Sequence, residues 1–149
     1  MSISPDGVTA DTLHALNLVL SLNPSFAART FSGDVKQMTE IIRAGIRHPG
    51  FAFIEILQNC PTFNKATPHE WYQEHIYDTI TIPNYDNTNL AWAKEVASDM
   101  DNKIATGIIY QQKNSIDFYS RQKNRVNITT ELTEEVKHHP VEKLLASLK

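Results

Sequence analysis

Two apolar runs, Phe26 to Phe31 and Phe51 to Leu57, bracket an amphipathic segment that opens on Asp34 and closes on His48-Pro49-Gly50. Asp34 is a candidate N-cap, and Gln37 three residues later completes a capping-box-like pair. Val35, Met38, Ile42 and Ile46 recur at helical spacing and predict that helix's buried stripe. The second run is apolar without strict alternation, which is how a strand buried on both faces reads. Strand, helix and strand within about 30 residues make a βαβ unit, whose crossover should be right-handed.

The rest of the chain is read around that unit. Leu13, Leu16, Val19 and Leu20 predict a helix over 11–22 that Asn23-Pro24 ends, because proline disfavours helical geometry in the residue before it. Thr67-Pro68-His69-Glu70 reads as a helix start, with Thr67 as N-cap and Pro68 in the first turn, and the helix should end near His75. A brief strand is expected over Thr79 to Ile82, a helix from Leu90 to Met100, and a buried strand from Ile104 to Tyr110. A last helix is expected from Val141, through Leu144 and Leu145, to Leu148. Alternating strands and helices predict an α/β fold with a mainly parallel sheet and flanking helices. Three regions follow: an irregular segment over 1–9, an α/β portion over 10–112, and a tail over 113–149 that carries the terminal helix.

Composition closes off several function classes. The 149 residues hold 14 Lys and Arg against 17 Asp and Glu, a formal charge of −3, with no basic tract, so nucleic acid is not an expected partner. No apolar stretch approaches the roughly 18 residues of a membrane span. The first residues lack a basic and apolar leader, so a cytoplasmic location is expected. Asn127-Ile128-Thr129 matches a glycosylation pattern, which this context gives no use. The single cysteine excludes a disulfide framework and any self-sufficient four-thiolate metal site.

That cysteine, Cys60, is the best-placed reactive group. In parallel α/β sheets ligands gather beyond the carboxyl ends of strands, and Cys60 follows the second apolar run in Gln58-Asn59-Cys60-Pro61-Thr62-Phe63-Asn64-Lys65. Pro61 removes one amide donor and stiffens the loop. The alternative is a thiol that serves as a small apolar side chain. Other candidates are weaker. His69 and His75 sit six apart and diverge by about 120° on a helix, and His138-His139 is an adjacent pair, so neither makes a metal pattern. Glu40, Glu55 and Glu70 have no partner in sequence. Trp71-Tyr72 should anchor the short helix. Gly33-Asp34 lacks the further glycines of a dinucleotide fingerprint, and no phosphate loop is present.

Residues 26–64 resemble a known family. Phe26-Ala27-Ala28-Arg29-Thr30-Phe31-Ser32-Gly33-Asp34 is similar to the "FVARxFSGD" segment of the β subunit of 2-oxoacid:ferredoxin oxidoreductases. His48 to Asn64 is similar to that subunit's "H-x-G-F-A-x-I-x-V-L-Q-x-C-x-T-F-N", and Ile104 to Tyr110 resembles its "IPIGVIY". The resemblance covers about residues 10–112 and fits the C-terminal half of this thiamine diphosphate-binding subunit. It implies oxidative decarboxylation of a 2-oxoacid to an acyl-coenzyme A, with electrons passing through iron–sulfur clusters to ferredoxin. It also implies that Cys60 is the fourth ligand of a [4Fe–4S] cluster whose other cysteines lie in the subunit's N-terminal half. The family's Gly-Asp-Gly cofactor motif has no counterpart in this sequence.

The resemblance therefore implies that thiamine diphosphate, Mg²⁺ and the cluster belong to a complete assembly, and that the chain alone binds none of them and is inactive. Its expected partners are the N-terminal β half and an α subunit, or a second copy of itself, with ferredoxin and coenzyme A acting on the full complex. The competing expectation is a non-catalytic assembly module or degenerate copy. An autonomous thiol enzyme ranks last, since only Lys65 lies near Cys60 as a basic neighbour.

Overall fold

The computed structural model describes residues 11, 13–98, 103–125, 128–135 and 145–147. They form two compact units that divide between Asp117 and Phe118. In the first unit the order is α1 (Ala15–Ser21), β1 (Phe26–Phe31), α2 (Val35–Arg47), β2 (Ala52–Leu57), α3 (His69–His75), β3 (Ile76–Asp78), α4 (Leu90–Ser98) and β4 (Ile104–Gln111). One 3₁₀ turn, Thr79–Thr81, follows β3. The sheet runs β2-β1-β4-β3. β1 pairs parallel with β2 and β3 parallel with β4, while β1 and β4 are antiparallel, so the sheet is mostly parallel and the α/β class stands.

Each side of the sheet has its own core. Ala27, Ala105 and Ile109 pack with Leu16 and Leu20 of α1 and with Ala93, Val96 and Ala97 of α4. Phe26 and Ala28 pack on the other face against Ile41 of α2, with Ala44, Ile54 and Ile108 around them. β1 is paired on both edges and covered on both faces, and all six of its residues are buried. β2, expected to be the strand buried on both faces, is an edge strand and only half-buried. Its apolar composition is that of a central strand, but only one of its edges is paired among the described residues.

Local signals set most boundaries. The Asp34 side chain accepts from the Gln37 amide at 2.9 Å, the expected cap of α2. Asn23, with φ of 53°, turns the chain out of α1 just before Pro24. Three expectations are corrected. The buried line of α2 runs through Ile41 and Gly45, whereas Val35 is 63% and Ile46 80% exposed. The close packing of Gly45 against Ala52 and Ile54 rotates the helix away from its most apolar stripe. α3 begins one residue later than its sequence suggests, and Thr67 accepts from the Asn64 side chain rather than capping the helix. The strand expected over Thr79 to Ile82 lies earlier, at Ile76–Asp78, because the Asp78 side chain accepts from the Ile80 amide and starts the 3₁₀ turn.

In the second unit, α5 (Phe118–Arg121) is followed by a 3₁₀ turn over Lys123–Arg125 and by α6 (Leu132–Glu135). Arg125 lies over the Tyr119 ring, 5.5 Å from its centroid, and donates to the Thr130 carbonyl at 3.0 Å. The helix expected over 141–148 falls mostly outside the described residues, as do Asn127 and His138-His139. Among the described residues no helix is long and apolar enough to cross a membrane.

Candidate functional site at the end of β2

Because β1 and β2 run parallel, the β1–α2 turn and the loop after Leu57 leave the sheet at one rim. The Ser32 amide donates to the Leu57 carbonyl at 2.9 Å, carrying the pairing to the last residue of β2. α3 closes the rim. Tyr72 stacks on Phe31 at 5.0 Å, and His69 meets the same ring at 5.1 Å. A side chain at Gly33 would collide with Phe31 and His69, so glycine permits this approach. Trp71 stacks instead on His75, whose Nδ1 lies 2.7 Å from the Trp71 carbonyl. Of the Trp71-Tyr72 pair, Tyr72 is thus the one that ties α3 to β1, beside His69.

Cys60 stands in this rim as a free, half-exposed thiol. The Asn64 amide donates to the Cys60 carbonyl at 3.1 Å, and the Asn64 carboxamide oxygen accepts from the Ala66 and Thr67 amides. This turn directs backbone amides at the sulfur. Hydrogen bonds from Phe63, then Thr62, hold the Cys60 thiol below its ordinary pKa against a smaller opposing effect of desolvation, with Asn64 adding to them. Pro61 has no amide to give, and the three residues after it provide the donors. Lowering of a thiol pKa favours the thiolate, the form in which cysteine acts as a nucleophile or metal ligand.

The other sequence candidates among the described residues do not join Cys60. Among the described residues no group of three or more His, Cys, Asp or Glu side chains is arranged to hold a metal. Glu70 is exposed on the first turn of α3. Glu40 lines a cleft of about 690 Å³ beside β4, together with Gln37, Asp78 and Tyr85. Tyr85 donates to the Ile109 carbonyl at 2.7 Å, and its pKa is pushed up to about 12, mainly by burial. Its proton is therefore held through the neutral range.

Glu55 has a structural partner that sequence reasoning overlooked. Arg29 is 1% exposed, and its Nε lies 2.5 Å from Glu55 Oε2. Its other nitrogens reach the carbonyls of Ala105 at 3.5 Å and Ala97 at 3.4 Å, the latter in the last turn of α4. A second overlooked group centres on Gln37. Its Nε2 donates to Asp78 at 2.8 Å and to Thr106 at 3.1 Å, and its Oε1 accepts from Thr30 at 3.0 Å. Neither residue signals the other in the sequence; the parallel register, which starts β2 at Ala52, places Arg29 opposite Glu55.

Comparison with known proteins gives this geometry a lineage. Residues 60–125 match the family model for the C-terminal part of the pyruvate ferredoxin oxidoreductase beta subunit. The chain is 33% identical over 112 residues to a 2-oxoacid:ferredoxin oxidoreductase subunit beta of a Sulfolobus species, an alignment covering 69% of this chain and 37% of that one. The chain belongs to the 2-oxoacid:ferredoxin oxidoreductase β-subunit family. The Saccharolobus solfataricus protein of the same name is 31% identical over 108 residues, covering 72% of this chain and 33% of the other. The structure also superposes on a solved 2-oxoglutarate:ferredoxin oxidoreductase from Magnetococcus marinus with a TM-score of 0.73, at 24% identity, over 99% of this chain and 48% of that one. The chain thus spans about a third of the length of these curated relatives and half of the solved chain, and it corresponds to the C-terminal part of the β subunit.

Proposed function

We propose that this chain supplies one corner of a redox centre to a 2-oxoacid:ferredoxin oxidoreductase, with Cys60 as one of four thiolate ligands of a [4Fe–4S] cluster. The observation that carries this reading is the placement of Cys60, a free and partly exposed thiol in the loop that leaves the carboxyl end of β2 beside the β1–α2 turn. Hydrogen bonds to cluster sulfurs are one of the protein's levers on cluster potential. A cubane needs four thiolates and the sequence has one cysteine, so the remaining ligands come from other polypeptide. The cluster, when bound, would pass single electrons onward. The chain's own part is to present one sulfur at the rim from a loop that Pro61 stiffens.

Thiamine diphosphate and Mg²⁺ would be held by the same complementary polypeptide, since none of this chain's residues forms the family's Gly-Asp-Gly cofactor motif. Alone, the chain is inactive. Its partners are an N-terminal β portion and an α subunit, its substrates are a 2-oxoacid, coenzyme A and ferredoxin, and its place is the cytoplasm. The three-region division, with the α/β portion over 10–112, belongs to the same proposal.

The test is reconstitution with polypeptide carrying the cofactor motif and the other cysteines. Cys60→Ala should abolish ferredoxin reduction and bleach the visible absorption of the cluster while leaving assembly intact. Unchanged turnover in that variant would make the chain a non-catalytic assembly module. Tight binding of thiamine diphosphate by the isolated chain would contradict the division of labour.

A further inference from the structure

α2 carries a second apolar face that nothing in its own sheet uses. Val35, Thr39, Ile42 and Ile46 are spaced four, three and four apart, the spacing of a coiled-coil seam. At about 100° per residue they fall within an arc of about 60°. Val35 and Ile46 are well exposed, and Ile42, Ile46 and Thr39 line a shallow groove of about 290 Å³ with Arg43 and Arg47. The Thr39 hydroxyl is spent on the Val35 carbonyl at 2.7 Å, which leaves its methyl group as the outward surface.

Two features define what fits there. Lys36, Arg43 and Arg47 lie along one flank of the seam, all exposed, and among the described residues no carboxylate pairs with them. The opposite flank descends through Gly45 onto Ala52 and Ile54 of β2. The seam therefore stands on the side of the open β2 edge, whose outer hydrogen-bonding groups pair with no strand among the described residues. Glu40, the acidic residue of α2, follows Lys36 by four residues at the sheet-side border of the same flank and lines the cleft beside β4.

We propose that this shoulder of α2 docks an amphipathic helix of another polypeptide, with its apolar stripe seated on Val35, Thr39, Ile42 and Ile46 and carboxylates facing Lys36, Arg43 and Arg47. A second copy of this chain is a poor occupant. An antiparallel pairing about a two-fold axis would bring the cationic flank of one α2 against that of the other, and a parallel pairing would set it against the Met38 and Gly45 flank, which offers no carboxylate. The open β2 edge beside the seam extends the same contact, since it offers the sheet's next pairing position. This inference does not depend on what Cys60 binds.

The experiment uses the full chain and two hydrocarbon-stapled, monomeric two-heptad helices with leucine at the seam positions, one flanked by glutamate and the other by lysine. Fluorescence anisotropy should show the glutamate helix binding and the lysine helix failing to bind. Ile46→Asp, at a position too exposed to threaten folding, should weaken binding about tenfold or more. Arg43→Glu with Arg47→Glu should invert the preference between the two probes. Equal affinity for both probes, binding of neither, or indifference to Ile46→Asp overturns the proposal. Sedimentation should show an oligomeric state that Ile46→Asp does not alter. A dimer dissolved by that substitution would assign the shoulder to a second copy and overturn it equally.

Discussion

Replacing Arg29 with Met should strongly destabilise the first unit. The guanidinium is buried, and its acceptors include the Glu55 carboxylate on β2 and the carbonyls of Ala97 and Ala105. Breaking a buried ion pair from one side costs about 3–5 kcal/mol, because the partner charge is left unpaired. Glu55 keeps a side-chain exposure of 20%, so water recovers part of that loss and the lower end, about 3 kcal/mol, is expected. Glu55→Gln should cost less, about 1–2 kcal/mol, since a neutral acceptor remains beside a guanidinium that keeps two carbonyls. The double variant Arg29→Met with Glu55→Leu removes both charges and should recover much of the single-variant loss. Urea unfolding, followed by circular dichroism and by the fluorescence of Trp71 and Trp92, measures all three. The reasoning fails if Arg29→Met shifts the midpoint by less than the equivalent of about 1 kcal/mol, or if the double variant is no more stable than Arg29→Met. The pair joins β1 to β2 two residues before the strand ends, so its loss should also loosen the loop that carries Cys60.

Two further outcomes are expected. Alkylation of Cys60 by iodoacetamide should reach half its maximal rate at a pH below that of a free cysteine, and Asn64→Ala, which loosens the turn, should move the midpoint back up. Because the folded thiol pKa is lowered, its small contribution to stability is present above the unfolded value and is lost as pH falls through the folded one, and an unshifted alkylation profile would remove the amide cradle. Gly107→Ala should destabilise the chain by about 1–3 kcal/mol, because φ of 108° strains any side chain and the added Cβ would meet Thr79 and, at 2.8 Å, Asp78. A melting temperature equal to that of the unaltered chain would count against it.

Much of the architecture is written locally. Phe26 to Phe31 specifies its strand to the residue, Asp34 with Gln37 specifies the start of α2, and the spacing of Ala93, Val96 and Ala97 specifies the buried side of α4. Caps, prolines and apolar periods act within a few residues, so sequence alone determines where such elements begin and which lie inside. The position of Cys60 beyond a strand end is determined in the same way.

Only tertiary structure decided the rest. Asp78 recruits the Ile80 amide and stops β3 where composition favoured a strand, and Gly45 packs against β2 and turns α2 so that Ile46 faces outward. Arg29 reads as an anomaly in an apolar run until register brings Glu55 beside it and α4 brings the Ala97 carbonyl within reach. The acidity of Cys60 likewise depends on where the Phe63 and Thr62 amides point. Periodicity ranks residues by how apolar they are. Burial and ionisation depend on which groups the folded chain places within a few ångströms, and those neighbours come from parts of the sequence that no local pattern connects.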